Sequence, residues 1–224
     1  MNAVIQAIQA FFDTRNIFLQ VGGYPLSYLE FASVLSGLLA VGYASRANML
    51  TWVVGIVNIV TAFVIFYQVQ LYADMFLQIY YMVVTAIGWF SWQKSDAQND
   101  KGISYLTNEQ RIKTAIILAG LTILLGFLMR NLHLYLPNIF TQEAAYPFID
   151  SFIAVLSVAA MTLMAQKKVE NWWLWIIVDV IATVLYYVKN INFISIEYFI
   201  FLLLAVYGAY HWHTKTKTQA FYEA

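Results

Sequence analysis

The chain has 224 residues, of which 62% are hydrophobic, 17% aromatic and 11% charged, and its twelve basic side chains balance twelve acidic ones. Soluble globular chains carry about 45–50% apolar and about 25% charged residues, so an ordinary water-soluble domain is excluded, as is a disordered chain, which would lack the aromatic content. Zero formal charge argues against nucleic acid as a partner, and the absence of cysteine removes disulfides, thiolate metal sites and cysteine nucleophiles. Side chains in this proportion need hydrocarbon to bury them, which predicts an integral membrane protein.

In chain order, Val4, Ile5, Ile8, Phe11 and Phe12 recur at helical spacing with Gln6 and Gln9 between them. This segment lacks the basic start and long apolar centre of a signal peptide. The spacing predicts an amphipathic helix over residues 1–20, lying in the membrane interface. Seven runs follow that match the roughly 20 apolar residues needed to cross a bilayer: 27–44, 48–67, 73–92, 112–129, 146–165, 171–188 and 194–213. They are continuously apolar over twice the length of a barrel strand, so they are read as helices. Nine of the twelve Lys and Arg residues, among them Arg46, Lys94, Lys101, Arg111, Lys167, Lys168 and Lys215, fall on one side. The positive-inside rule makes that side cytoplasmic, with the N-terminus outside and the C-terminus inside.

Shifting the chain by 120 or 121 residues lays Glu30 on Asp150, Trp52 on Trp173, Asn58 on Asp179, Gly88 on Gly208 and Trp92 on Trp212. The predicted fold is an all-α bundle of seven helices in a 3+1+3 parallel repeat. Residues 21–93 form the first triplet and residues 146–213 the second. Between them, residues 94–145 hold a cytoplasmic loop, a linking helix at 112–129 and an outer loop; residues 214–224 are a cytoplasmic tail. The linking helix returns the chain so that both triplets point the same way, and such transporters place their site at the repeat interface.

Asp179 lies eight residues into the sixth run, ~12 Å along the helix axis. A carboxylate there costs about 2.5–3.5 kcal/mol to insert and marks a function by default. Trp172 and Trp175 precede it on the same helical face. Indole faces attract a desolvated cation by ~0.5–2 kcal/mol, and the carboxylate adds charge and an acceptor. The bland alternatives are an aromatic belt for Trp172 and helix-to-helix hydrogen bonding for Asp179. Gln78, Tyr81 and Thr85 repeat the spacing on the third run and would offer amide and hydroxyl groups to a solute across a cavity. Asn58 either lines the same passage or fixes helix packing. Glu30, Asp74, Asp150 and Glu197 fall near outer helix ends, where most are expected to be solvated or interfacial with no proton-relay role, although an acidic vestibule there would concentrate cations.

Enzymatic readings fare poorly. His133, His211 and His213 cannot converge on one metal, and no HExxH occurs. No serine is placed centrally beside a base. The last run holds no lysine for a retinal Schiff base. No cofactor or metal is expected.

The stretch Leu71-Tyr72-Ala73-Asp74, then Leu77-Gln78, Gly88-Trp89 and Trp92, resembles the PnuC family of bacterial vitamin transporters. Glu170-Asn171-Trp172 through Trp175 to Asp179 is similar to that family's WxxWxxx(N/D) signature, and Trp52 with Gly55-Ile56-Val57-Asn58 also fits. The resemblance spans about residues 20–215. It implies a SWEET-like bundle, a homotrimer in the bacterial inner membrane, and facilitated uptake of nicotinamide riboside that a cytoplasmic kinase traps by phosphorylation. It also implies that Trp172, Trp175, Asp179 and Gln78 contact the solute. Asp179 and Thr85 stand where nicotinamide riboside carriers commonly have asparagine. The carboxylate suits a pyridinium, and it equally suits the thiazolium of thiamine, which some members carry. A receptor that binds without transporting is the reading from a different class.

Overall fold

The computed structural model describes residues 2–68, 72–98, 102–136, 146–188 and 192–222. Lys101, Lys189, Leu71 and most of the expected outer loop at 137–145 lie outside these residues.

The N-terminal helix is shorter than its sequence suggests. α1 spans Asn2–Phe11, and the chain then turns into a two-stranded hairpin, β1 (Ile17–Val21) and β2 (Tyr24–Ser27). This corrects the expectation of one helix over residues 1–20. The reason is the Gly22-Gly23 pair, whose φ angles of 57° and 86° suit the tight two-residue turn that matches strand twist. The helix end is tied down by Gln68, whose Oε1 accepts from the Thr14 N–H at 3.1 Å and from its hydroxyl at 2.9 Å. Nearby, Arg15 beside Asp13 holds that carboxyl down to about 2.

Among the described residues, seven helices long and apolar enough to cross a membrane follow. They are α2 (Tyr28–Ser45), α3 (Leu50–Gln68), α4 (Tyr72–Gln98), α5 (Asn108–Tyr135), α6 (Pro147–Ala165), α7 (Glu170–Val188) and α8 (Asn192–Tyr222). α4, α5 and α8 outrun their apolar runs, because the hydrocarbon limits the apolar stretch and not the helix, which continues into water. Ser27 ends β2 and caps α2: its Oγ accepts the Glu30 N–H at 3.2 Å while the Glu30 carboxylate takes the Ser27 N–H at 2.8 Å. Thr107 and Gln110 build the same reciprocal cap on α5.

α2, α3 and α4 pack in sequence, as do α6, α7 and α8. α2 meets α8 and α4 meets α6, so the two groups touch along both seams; α5 packs on α6 and presents Ile116, Leu124 and Phe127 outward. The turn from α2 to α3 and the turn from α6 to α7 are built alike. Ala47 and Lys167 take positive φ of 53° and 54°. Ala47 N–H reaches the Ala44 carbonyl at 2.8 Å and Lys167 N–H reaches that of Met164 at 3.0 Å. Asn48 N–H and Lys168 N–H close the same turns on Tyr43 and Leu163 at 3.0 and 2.9 Å.

These contacts recur at a spacing of 120 residues, which corrects the sequence pairing. The indole seated as Trp52 is seated belongs to Trp172 and not to Trp173. A Cβ on Gly88 would lie 2.3 Å from the Trp52 ring, and one on Gly208 would lie 2.6 Å from the Trp172 ring. Only one indole of the Trp172-Trp173 doublet has such a seat; Trp173 is 59% exposed and faces outward. The doublet made the one-residue slip invisible in the sequence.

Candidate functional site

A cavity of about 470 Å³ lies between the two groups of helices, within the ~300–1,000 Å³ range of small-molecule sites. Asp179, Trp172 and Trp175 line it from α7, Gln78, Tyr81 and Thr85 from α4, and Asn58 from α3. All seven residues singled out in the sequence thus meet one space.

Their environments differ. Asp179 is the tenth of the nineteen residues of α7 and is 4% exposed. Among the described residues, no donor reaches its carboxylate; the Thr183 hydroxyl bonds its peptide oxygen at 2.6 Å. A charge buried without a partner is costly, so this position favours a cation arriving from elsewhere. Thr85 is as deeply buried, and its hydroxyl has no partner among the described residues. Asn58 does both of the things expected of it: its Nδ2 donates to the Ser33 carbonyl at 2.8 Å, joining α3 to α2, while the residue still lines the cavity. Trp172 is 1% exposed and seated on Gly208, so it forms floor rather than wall. The half-buried Trp175 is the indole with open surface.

Helical spacing did not reveal the α8 wall. Glu197, Tyr198 and Phe201 line the cavity, with Tyr198 stacked on Tyr186 of α7 at 5.5 Å. Glu197 is half-buried and lines the cavity, although its position near an outer helix end was expected to leave it solvated or interfacial. The hairpin borders the far end. Tyr24 stacks on Phe193 at 4.9 Å, nearly parallel, and its hydroxyl donates to Glu30 Oε1 at 2.9 Å. Burial, that hydrogen bond and the charges of Glu30 and Glu197 push the Tyr24 hydroxyl up to about 12. Three carboxylates therefore line the space, and among the described residues no Lys, Arg or His does. Nor does any group of His, Asp or Glu among them have the arrangement of a metal site. The chemistry on offer is recognition of a flat, positively charged solute.

The profile of a family described as "Nicotinamide mononucleotide transporter" matches residues 27–214. The nicotinamide riboside transporter PnuC of Escherichia coli strain K12 is 32% identical over 223 residues, covering 90% of this chain and 93% of the relative. The chain belongs to the PnuC family. It is a multi-pass membrane protein of a transporter family. The PnuC of Haemophilus influenzae is 26% identical over 200 residues, covering 88% and 85% of the two chains. The riboflavin/roseoflavin transporter RibM of Streptomyces davaonensis is 24% identical over 184 residues, covering 81% and 82%. A crystal structure of the vitamin B3 transporter PnuC shares the fold, with a TM-score of 0.63 at 20% identity, over 96% of this chain and 88% of that one.

Proposed function

We propose that this PnuC-family protein carries nicotinamide riboside across the bacterial inner membrane by facilitated diffusion. The observation that carries the reading is Asp179: a deeply buried carboxylate without a partner among the described residues, lining the same cavity as the open face of Trp175. A pyridinium ring supplies the missing positive charge and a flat face for the indole, while Gln78, Tyr81 and Thr85 offer hydrogen bonds to amide and ribose. The cavity charge also supports the riboside over its phosphate ester. A phosphate would meet Glu30, Asp179 and Glu197 and no lining cation, and like-charge juxtaposition costs several kcal/mol.

In this reading the triplets α2–α4 and α6–α8 are parallel, SWEET-like repeats joined by α5, and they rock about the cavity to expose it alternately. The matching turns 120 residues apart support the repeat. Arg46, Lys94, Lys167, Lys168 and Lys215 support a cytoplasmic assignment for the end that carries the turns and the C-terminus, with the N-terminus outside. The working unit is a homotrimer, and a cytoplasmic kinase traps the solute by phosphorylation.

Binding of nicotinamide riboside, its 5′-phosphate and thiamine to the purified protein tests the substrate. The riboside is expected to bind at least ~100-fold more tightly than the phosphate. Equal affinity for the phosphate would overturn the assignment, and tighter binding of thiamine would transfer it to that vitamin, whose aminopyrimidine also suits Asp179. In liposomes, labelled riboside should equilibrate without an ion gradient and accumulate only with kinase and ATP inside. Binding without equilibration would make the protein a receptor.

A further inference from the structure

Four tryptophans close the basic end of the cavity, beside the turns that carry Arg46, Lys167 and Lys168. Trp52, Trp92, Trp172 and Trp212 are each at most 1% exposed. Their rings form a continuous chain: Trp52 meets Trp92 at 5.1 Å, Trp92 meets Trp212 at 5.9 Å, and Trp212 meets Trp172 at 5.7 Å. The end members, Trp52 and Trp172, floor the cavity. The middle members bind the triplets to each other. Trp92 Nε1 on α4 donates to the Met164 carbonyl of α6 at 3.2 Å, and Trp212 Nε1 on α8 donates to the Ala44 carbonyl of α2 at 3.0 Å. Donors and acceptors are each 120 residues apart, so each triplet lends an indole to the other.

We infer that this quartet is the gate on the basic side and that Trp92 and Trp212 are its latch. The inference rests on the transport reading and names the residues that position the two triplets during the cycle. Opening that end requires the α2 and α6 ends to leave α8 and α4, which breaks both indole hydrogen bonds. It also uncovers Trp52 and Trp172, whose indole N–H groups are buried without a partner among the described residues in the closed state and gain water in the open one. With no space above Gly88 or Gly208, each ring is wedged between its glycine helix and the latch, so the rings part together.

The latch is lopsided. The α6–α7 turn is also strapped by the preceding loop: Ser104 N–H donates to the Lys167 carbonyl at 3.1 Å, and Val169 N–H to the Ser104 carbonyl at 3.0 Å. Lys168 Nζ adds a hydrogen bond to Ser104 Oγ at 2.8 Å. Besides Trp212, the described residues tie the α2–α3 turn to the other triplet through Lys215 Nζ, which reaches the Arg46 carbonyl at 3.2 Å. The α2–α3 turn is therefore the side that swings, and Trp212 is the stronger determinant.

Because the chain has no cysteine, a single thiol from Ser157→Cys on the cavity wall reports access from either side. In oriented vesicles an impermeant maleimide is applied to one face at a time. Trp212→Phe keeps a ring in the cluster and removes the donor. Labelling from the basic side should rise roughly tenfold while labelling from the opposite side slows, with a smaller change of the same sign for Trp92→Phe. Unchanged labelling, or faster labelling from both sides as in general loosening, overturns the latch. Gly208→Ala dislodges Trp172 while leaving Trp212 in place; it should give the same one-sided change and serves if Trp212→Phe does not fold. The same vesicles are assayed for nicotinamide riboside exchange. No exchange by the unsubstituted chain defeats the transport reading, whereas exchange without the one-sided change defeats the latch alone.

Discussion

Asp179→Asn is expected to weaken binding of the cationic riboside by about 5–30-fold. The substitution keeps the side-chain shape and one acceptor oxygen, so packing against α7 neighbours is unchanged and the charge is the quantity removed. A hydrogen bond to a charged group contributes about 1.5–3 kcal/mol against about 0.5–1.5 for a neutral one, a difference of ~1–2 kcal/mol. At 1.4 kcal/mol per factor of ten this gives the stated range. Salt should alter it little, because Asp179 is 4% exposed and screening acts on solvated charges. Asp179→Ala, which also removes the acceptor, should lose at least as much. Titration calorimetry on the purified protein, with the riboside and its reduced, uncharged dihydropyridine form, measures the effect. The uncharged ligand should be nearly indifferent to the substitution. Equal losses for both ligands, or no loss for the cation, would refute the electrostatic role and leave Asp179 as a packing residue.

Trp175→Ala should weaken riboside binding by at least ~2-fold, since a cation over an indole gains ~0.5–2 kcal/mol, and Trp175→Phe should recover part of it in the same assay. Thr85→Val removes a buried hydroxyl that has no partner among the described residues. It should raise the melting temperature of the empty protein while lowering affinity, and a stability loss would show that the hydroxyl serves packing. Ser27→Ala breaks the capping box of α2 and should cost about 0.5–2 kcal/mol of stability, read as a lower melting temperature in detergent. Arg111→Ala removes a half-exposed ion pair with Glu170 at 2.9 Å. Its stability cost should stay within ~1 kcal/mol and riboside exchange should not change, because Glu170 still accepts the Leu106 N–H.

The seven spans were legible because a bilayer imposes a minimum apolar length, and polar residues interrupt each run near its ends. The α7 stripe was legible because Asp179 is conspicuous among apolar neighbours and its two indoles fall at helical spacing. The hairpin was hidden by its brevity: four or five residues per strand leave little alternation, and the Gly22-Gly23 turn fell between the segment read as a helix over 1–20 and the first apolar run. Glu197 and Tyr198 were missed for another reason. A single helix does not disclose which of its faces meets a cavity, and depth along the axis alone sends an acid near a helix end to solvent. The role of Trp172 was half legible. Its spacing placed it on the solute-facing stripe, but only the seat on Gly208, a partner thirty-six residues away, turns it into floor.

The most direct test is a structure of the protein with nicotinamide riboside bound. The pyridinium should lie against the Trp175 face with the Asp179 carboxylate within salt-bridge reach, about 4 Å, and Gln78 or Thr85 on the amide or ribose. A riboside bound elsewhere, with Asp179 and Trp175 turned to lipid or to a neighbouring subunit, would contradict it.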